Sequence, residues 1–416
     1  MDNLPMYASL LFATTLSLTL QGCPASNPPA ANVETPQPTI VPSASPSATE
    51  IATALPSKSD MLQQSWNAYR QRFIEPDGRV IDREADDRST SEGQAYAMLR
   101  AVIIDDRATF DRTLQWGENN LRRYSNGKPT DSLWSWKWGR TSQGEWKALD
   151  ANFASDGDID AATALILAAR RWNQPQYLSL AQTKLRDLWN LSTVASPVSR
   201  KRYLLPGPRQ AFQKQNVVQI NPSYFAPYAF RLFAQVDPAH DWSSLTESSY
   251  QVLQQAATLS SVGLPNDWVL LDLPTGKITP MLTANPGTSE YGFDAYRVWW
   301  RLALDASWFK EPRAKQYLQK YLGHPQALWR SQQKIPARID LQGKPVVDYE
   351  ATSQYAMLYA ALQLIDPTTA QQIEKQKLMP QYRNGFWDND SAYYTQNLVW
   401  FGLVPPSTIA PLLQPR

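Results

Sequence analysis

The feature that most constrains the fold is a helical periodicity of apolar residues through most of the chain. From about Asp60 onward, apolar residues recur at the spacing of an α-helix, and Pro, Gly or Asn separates most of the runs. We therefore predict an all-α fold. The predicted helices, about twelve, lie near residues 60–73, 89–103, 106–123, 156–172, 175–190, 222–235, 243–258, 292–306, 311–321, 324–333, 350–365 and 391–402.

Four longer segments without clear periodicity separate some of these helices, namely residues 126–151, 199–220, 261–291 and 334–348. Loops of this length in a compact domain usually carry function. Short strands are predicted at residues 268–273 and around Gly343. Twelve helices with long loops suit two concentric rings of six, although periodicity alone does not distinguish this from other all-helical arrangements.

The N-terminal residues predict export and attachment to a membrane by lipid only. Residues 6–20 form an uncharged apolar run, too short to span a bilayer comfortably. The run ends in Leu-Gln-Gly followed by Cys23, which resembles a bacterial lipoprotein signal with lipidation at that cysteine. A plain signal peptide, or a misplaced start, is the alternative. We expect residues 1–23 to be a leader and the protein to be periplasmic or at the cell surface.

A disordered tether is predicted next, over residues 24–57. This segment is rich in Pro, Ser, Thr and Ala and poor in bulky apolar residues, so it cannot bury enough surface to offset its ordering entropy. Residues 58–416 are predicted to form a single globular domain.

Charge and residue usage exclude several classes of function. The net charge of +2, from 40 basic and 38 acidic residues without a basic stripe, gives no case for a nucleic-acid partner. Cys23 is the one cysteine, which excludes an internal disulfide and thiol catalysis. His240 and His324 lack metal-ligand spacing, and no phosphate-binding loop or dinucleotide fingerprint is present. We expect neither metal nor organic cofactor.

Three carboxylates stand at the beginnings of predicted helices, beside small residues that leave room for a ligand. They are Glu92 in Ser-Glu-Gly-Gln, Asp156 in Ser-Asp-Gly-Asp and Asp294 in Gly-Phe-Asp-Ala. Carboxylates from separate helices around a cleft are what hydrolysis of a sugar polymer requires. The 16 Trp residues fit platforms for sugar rings, although core packing predicts the same residue type.

The Glu92 motif also has a simpler explanation. Ser89 and Glu92 have the spacing of a capping box, in which the glutamate reaches back to the cap. Gly93 directly after the acid is a poor helix former, and close approach of a ligand would explain it.

Helix ends and ordinary ion pairs offer alternatives for the aspartates. Acids in the first turn, such as Asp156 and the nearby aspartates at 158 and 160, are favoured by the helix dipole. A calcium loop is excluded because Ala161 and Leu167 stand where Gly and Glu are needed. Asp294 and Arg297 could form an ordinary ion pair one turn apart. Alternatively, the positive charge of Arg297 could keep Asp294 ionised, as a general base must be.

The ordered set of motifs resembles glycoside hydrolase family 8, the inverting glucanases built as an (α/α)6 barrel. The resemblance extends from about residue 60 to about residue 403 and rests on segments 66–74, 77–82, 91–99, 136–139, 154–158, 221–225, 267–269 and 291–297. It implies an inverting endo-β-1,4-glucanase acting on cellulose-like glucan in a groove formed by the long loops. The location of the base in Phe-Asp-Ala matches the cellulase type and argues against the chitosanase type.

The resemblance also implies roles for single residues. Glu92 would be the general acid, Asp294 the base that activates water, and Asp156 the residue that holds the sugar beside the scissile bond. Burial or a neighbouring carboxylate, such as Asp156, would keep Glu92 protonated near neutral pH. The residues predicted to contact substrate are Arg297, Trp136, Trp138, Tyr224, Tyr393 and Tyr394.

Partners and rival functions follow from the same resemblance. The partner is a β-1,4-glucan, and likeness to the endoglucanase that accompanies bacterial cellulose synthase implies a synthase or export complex as a further partner, with glucan degradation as the alternative setting. Chitosanase, xylanase and lichenase are rival activities. A non-catalytic, lipid-anchored glucan-binding component is the rival from another class, and the presence of all three acids argues against it.

Overall fold

The structure, a computed structural model, describes residues 57–282 and 287–414. The predicted leader with Cys23 and all but the last residue of the predicted tether lie outside the described residues. The α-helices within the described ranges are α1 (Lys58–Phe73), α2 (Ser91–Ile103), α3 (Arg107–Asn120), α4 (Ser155–Trp172), α5 (Pro175–Ser192), α6 (Arg209–Phe212), α7 (Pro227–Val236), α8 (Trp242–Ala257), α9 (Tyr296–Trp308), α10 (Pro312–Tyr321), α11 (Gly323–Gln332), α12 (Thr352–Ile365), α13 (Pro367–Ile373) and α14 (Tyr393–Leu403).

Twelve of these helices form two concentric rings. In the inner ring, α2, α4, α7, α9, α12 and α14 each contact the next helix, and α14 closes the ring on α2. The outer helices α3, α5, α8, α10, α13 and α1 pack mainly against α2, α4, α7, α9, α12 and α14, respectively. The predicted all-α class and (α/α)6 barrel are confirmed. Since inner and outer helices alternate along the chain, the inner helices run in one direction and their N-termini gather at one face.

Inner helices bury most of their surface because their sequences are apolar or small on nearly every side. In α4 the residues from Ala161 to Ala168 are all buried, as the apolar run predicted. In α2 every residue except Glu92 is buried. None of the helices in the described residues is long and apolar enough to cross a membrane.

One outer helix was not predicted, and one predicted helix lies outside the two rings. The helix predicted at residues 324–333 is α11, an additional helix after α10. The outer helix α13 follows α12 after a single residue and continues into a π-helical turn, Glu374–Leu378. The sequence does carry a start signal for α13, namely Pro367 at its first position and Asp366, which accepts a hydrogen bond from the Thr369 N–H.

Short strands lie between the helices. They are β1 (Ser89–Thr90), β2 (Arg122–Ser125), β3 (Lys128–Arg140), β4 (Trp146–Phe153), β5 (Thr193–Ala195), β6 (Arg202–Leu204), β7 (Gln213–Lys214), β8 (Val217–Ile220), β9 (Val269–Asp272), β10 (Lys277–Pro280), β11 (Tyr382–Arg383) and β12 (Phe386–Trp387). The predicted strand at 268–273 is β9, and Ile339 bridges Pro345 around Gly343 as expected.

The segment at 126–151 was expected from sequence to be irregular. It instead holds most of two long strands, β3 and β4. β3 pairs with β2, β4 and β1, all antiparallel. β1 ends directly before α2, so this sheet lies next to the N-terminus that carries Glu92.

Candidate active site

A single guanidinium group brings the three predicted carboxylates together. Arg297, in the first turn of α9, has a side chain that is only 1% exposed. Its Nη1 donates to Glu92 Oε2 at 2.5 Å and to Asp156 Oδ2 at 3.0 Å, and its Nη2 donates to Asp294 Oδ1 at 2.7 Å. Acids from three distant parts of the chain thus meet at one site on the face where the inner helices begin.

Glu92 is free to take part in this site because another residue caps its helix. Thr90 is the N-cap of α2, and its Oγ1 accepts a hydrogen bond from the Gly93 N–H at 3.0 Å. The capping box considered from sequence is therefore not formed. Glu92 instead points to Arg297, and its Oε1 accepts a hydrogen bond from the Tyr393 hydroxyl at 3.1 Å.

Gly93 packs closely against side chains of the protein itself. A Cβ at this position would lie 3.2 Å from a ring carbon of Tyr393 and 3.2 Å from Thr90 Oγ1. The glycine lets the Tyr393 ring come close enough to reach Glu92. This packing explains the glycine without the approach of a ligand that was expected from sequence, and the ligand contact stays a prediction.

Gly157 has a similar role between two helices. A Cβ there would lie 2.6 Å from Ser91 Oγ and 3.0 Å from the Glu92 backbone nitrogen, so a side chain would separate the first turns of α2 and α4. Asp156, the preceding residue, is thereby held close enough to Glu92 for both to share Arg297. Its side chain is 3% exposed.

The other two acids of the Asp156 motif have different partners. Asp158 accepts a hydrogen bond from the Trp134 backbone N–H at 3.2 Å and lies 3.7 Å from Lys184 Nζ. Asp160 forms a bidentate ion pair with Arg301, at 2.8 and 2.9 Å. These two acids fix β3 and α9 to α4, which leaves Asp156 as the one directed at the site.

Asp294 is the most accessible of the three acids, with 34% of its side chain exposed. Its Oδ2 accepts a hydrogen bond from Asn221 Nδ2 at 3.0 Å. The segment that carries it is held by Asp267, whose Oδ1 accepts hydrogen bonds from the N–H groups of Gly292 at 3.2 Å and Ala295 at 2.7 Å. A Cβ on Gly292 would lie 2.4 Å from the Asp267 carboxylate, so this position requires glycine.

Sequence reasoning assigned no role to Asp267 or Asn221, although both lie in motifs that carried the resemblance. Burial raises the pKa of Asp267 well above its ordinary value, and the nearby Asp294 raises it further. A carboxylate immediately before the strand predicted at residues 268–273, in Asp-Trp-Val, was the signal available for it.

Burial gives Glu92 a proton affinity suited to acid catalysis. It raises the Glu92 pKa to about 7; the Arg297 charge opposes the shift and the Asp156 carboxylate adds to it. The pKa of Asp156 is also raised, chiefly by burial, against the effect of Arg297. Both causes expected from sequence therefore act on Glu92, and burial is the larger. A carboxyl that titrates near neutral pH can carry the proton that a leaving group needs.

Two predicted substrate-contacting tyrosines touch the elements that carry the acids. The Tyr394 hydroxyl donates to the Phe293 carbonyl at 2.7 Å, next to Asp294. The partly buried Tyr224 has its ring centre 5.4 Å from the guanidinium carbon of Arg297. The hydroxyl of Tyr393 contacts Glu92 directly.

The two predicted tryptophans occupy different surroundings on β3. Trp136 is half-buried, and its Nε1 donates to Asp150 Oδ2 at 2.7 Å. Trp138 packs among protein groups: its ring centre lies 5.2 Å from that of Trp116 and 5.1 Å from that of Trp146. The Arg79 guanidinium carbon lies 4.7 Å from the same ring centre, so a structural role is favoured for Trp138.

Comparison with known proteins identifies the family of this chain and several relatives. Residues 41–405 match the model of the family described as glycosyl hydrolases family 8. The chain is 37% identical over 278 residues to an endoglucanase of Xanthomonas axonopodis pv. citri, covering 66% of this chain and 68% of the relative. It is 29% identical over 345 residues to an endoglucanase of Escherichia coli K12, covering 81% and 85% of the two chains.

A solved structure is similar over nearly the whole domain. The crystal structure of the endo-1,4-D-glucanase of Vibrio fischeri ES114 matches with a TM-score of 0.71 and 27% sequence identity, covering 82% of this chain and 93% of that chain. The family match extends over most of the chain and includes all three carboxylates. The chain therefore belongs to glycosyl hydrolases family 8.

Proposed function

We propose that the protein is an inverting endo-β-1,4-glucanase that hydrolyses cellulose-like β-glucan. The observation that carries the proposal is the meeting of Glu92, Asp156 and Asp294 at the buried Arg297, in unequal surroundings. The endoglucanase names of the relatives support the choice of substrate.

In the proposed reaction, Glu92 gives its proton to the glycosidic oxygen while the bond from that oxygen to the anomeric carbon breaks. Asp294 accepts a proton from a water molecule, whose oxygen attacks the anomeric carbon from the opposite face of the ring. The configuration at that carbon is inverted, and no covalent intermediate with the enzyme forms. The exposure of Asp294, at 34%, suits a group that meets water, and the lower exposure of Glu92, at 18%, suits a group that keeps its proton.

Inversion requires space for water between acid and base, with carboxyl groups roughly 6.5–9.5 Å apart. Glu92 and Asp294 bind different nitrogens of Arg297, so the width of the guanidinium lies between them. We assign Arg297 to holding the acids in this arrangement, because both of its Nη atoms already donate to protein groups. Asp156, which is buried beside Glu92, would hold the sugar next to the scissile bond.

We also propose an exported enzyme attached through a lipid at Cys23, with residues 24–57 as the tether. The sequence pattern alone supports this part of the proposal. A cellulose synthase or export complex as partner rests on resemblance, with glucan degradation as the alternative setting.

Hydrolysis of four polysaccharides tests the proposed activity. We expect turnover of carboxymethylcellulose to exceed that of chitosan, xylan and mixed-linkage β-glucan. The Glu92→Gln variant should retain binding of cello-oligosaccharides and lose about 10²- to 10⁴-fold in kcat, since it cannot protonate the leaving oxygen. Undetectable turnover of carboxymethylcellulose by the wild type would overturn the proposal, and binding without any turnover would favour a glucan-binding protein.

A further inference from the structure

A closed ring of hydrogen bonds surrounds the Asp294 carboxylate. Asp294 Oδ1 accepts from Arg297 Nη2 at 2.7 Å, and the same Nη2 donates to Ser223 Oγ at 2.9 Å. The Ser223 hydroxyl donates to Asn221 Oδ1 at 2.7 Å. Asn221 Nδ2 completes the ring by donating to Asp294 Oδ2 at 3.0 Å. Both oxygens of the proposed base are therefore held.

The orientation of the Asn221 amide is determined by the backbone. Its Oδ1 also accepts a hydrogen bond from the Ser223 N–H at 3.0 Å, and a backbone N–H can only donate. The carbonyl end of the amide must face Ser223, which leaves the NH₂ end facing Asp294. Asn221 caps the short 3-10 turn Pro222–Tyr224, where Pro222 stands at the first position, so local sequence fixes this geometry.

The ring of hydrogen bonds joins two buried residues to a carboxylate that solvent can reach. Asn221 is 1% exposed and Ser223 is fully buried, whereas the Asp294 side chain is 34% exposed. An accessible aspartate without these contacts would rotate in solvent. The prediction of one helix over residues 222–235 is wrong at its beginning. Residues 222–224 form the 3-10 turn that Asn221 caps, and α7 begins only at Pro227.

We infer that Asn221 is a positioning residue for the general base, holding Asp294 so that Oδ2 receives the proton of the attacking water. Oδ1 binds the positive charge of Arg297, which makes it the poorer proton acceptor. Oδ2 binds a neutral amide and keeps a lone pair for water. The inference rests on the proposed function, since it assigns Asp294 as the base.

Two substitutions separate positioning from structural support. Asn221→Ala removes the hydrogen bond to the carboxylate, and we expect kcat to fall about 10- to 100-fold with little change in KM. Asn221→Asp keeps the side-chain shape but places a second carboxylate against Asp294. The acid limb of the pH dependence of kcat/KM should then move to higher pH by at least about one unit, since two adjacent carboxylates resist joint ionisation.

Other charged or titratable groups face Asp294 from the surrounding elements and stay unchanged in both variants. They are Arg297 on α9, Glu92 on α2, Asp156 on α4, Asp267 before β9, Tyr224 on the 3-10 turn and Tyr394 on α14.

A matched control is Asn266→Ala. Asn266 is also 1% exposed, and its amide donates to the Ala256 carbonyl at 2.7 Å. We expect this control to lower thermal stability and to leave the pH profile unchanged.

Carboxyl-carbon NMR titration of aspartate-labelled protein gives a readout that does not depend on turnover. The titration midpoint of the Asp294 carboxyl carbon should move to higher pH in Asn221→Asp than in the wild type. An unchanged midpoint, or an acid limb that superimposes on that of the wild type, would overturn the inference. If wild-type protein fails to hydrolyse carboxymethylcellulose, the proposed function fails, and the NMR titration still decides whether Asn221 controls Asp294.

Discussion

Substitution of Arg297 by Met tests whether one guanidinium balances the three carboxylates. Arg297 is 1% exposed, and its partners Asp156, Glu92 and Asp294 are 3%, 18% and 34% exposed. Removing one partner of a buried ion pair costs about 3–5 kcal/mol because an uncompensated charge remains. We expect the free energy of unfolding of Arg297→Met to fall by about this amount at pH 8.

The loss should depend on pH in a defined direction. The Arg297 charge lowers the pKa of Glu92 and of Asp156, so its removal raises both further above their values in the unfolded chain. A carboxyl with a raised pKa in the folded state binds more protons there than in the unfolded chain. Its stabilising effect is present at low pH and is lost as pH rises through the folded-state pKa. The loss of stability should therefore be smaller at pH 5 than at pH 8.

Urea unfolding at pH 5 and pH 8 measures this effect, and Arg100→Met is a matched control. Arg100 is also fully buried, but its side chain contacts Asn397 and Ser65 and lies 4.4 Å from the Tyr69 ring centre, with no carboxylate among its described contacts. Burial lowers its pKa to about 9, so it stays charged over this pH range. A loss for Arg297→Met that is equal at both pH values, as in the control, would refute the reasoning.

Two further predictions concern aromatic residues around the site. Tyr393→Phe removes a hydrogen bond that lowers the Glu92 pKa, so the basic limb of kcat/KM should move to higher pH, and a shift to lower pH would contradict this role. Trp138→Ala should lower the free energy of unfolding by about 3 kcal/mol, because its ring packs among Trp116, Trp146 and Arg79. A large rise in KM for cellopentaose without loss of stability would instead show that Trp138 contacts sugar.

The barrel could be predicted from sequence because its inner helices show strong periodicity. The apolar run in α4 predicted burial on both sides, and the boundaries of most helices agree with the predicted ones within a few residues. α13 was missed because it is short and polar, and it follows α12 after only Asp366. The strands β3 and β4 were missed because their polar and aromatic residues, interrupted by register shifts, show no clear alternation.

The candidate acids could be named from sequence, but most of the contacts between them and Arg297 could not. The spacing of Asp294 and Arg297 predicted their pairing, since residues one turn apart are neighbours on a helix. The further contacts of Arg297 with Glu92 and Asp156 join residues more than a hundred positions apart, and no local pattern encodes them. The capping box was a false signal because Thr90, rather than Ser89, caps α2.

The anomeric form of the first product tests the central claim most directly. Time-resolved proton NMR of cellopentaose hydrolysis distinguishes the α-anomer from the β-anomer before the two interconvert. Attack of water activated by Asp294, opposite the bond that Glu92 protonates, predicts that the α-anomer appears first. Initial appearance of the β-anomer would contradict the assignment of Asp294 as a base and of the reaction as a single displacement.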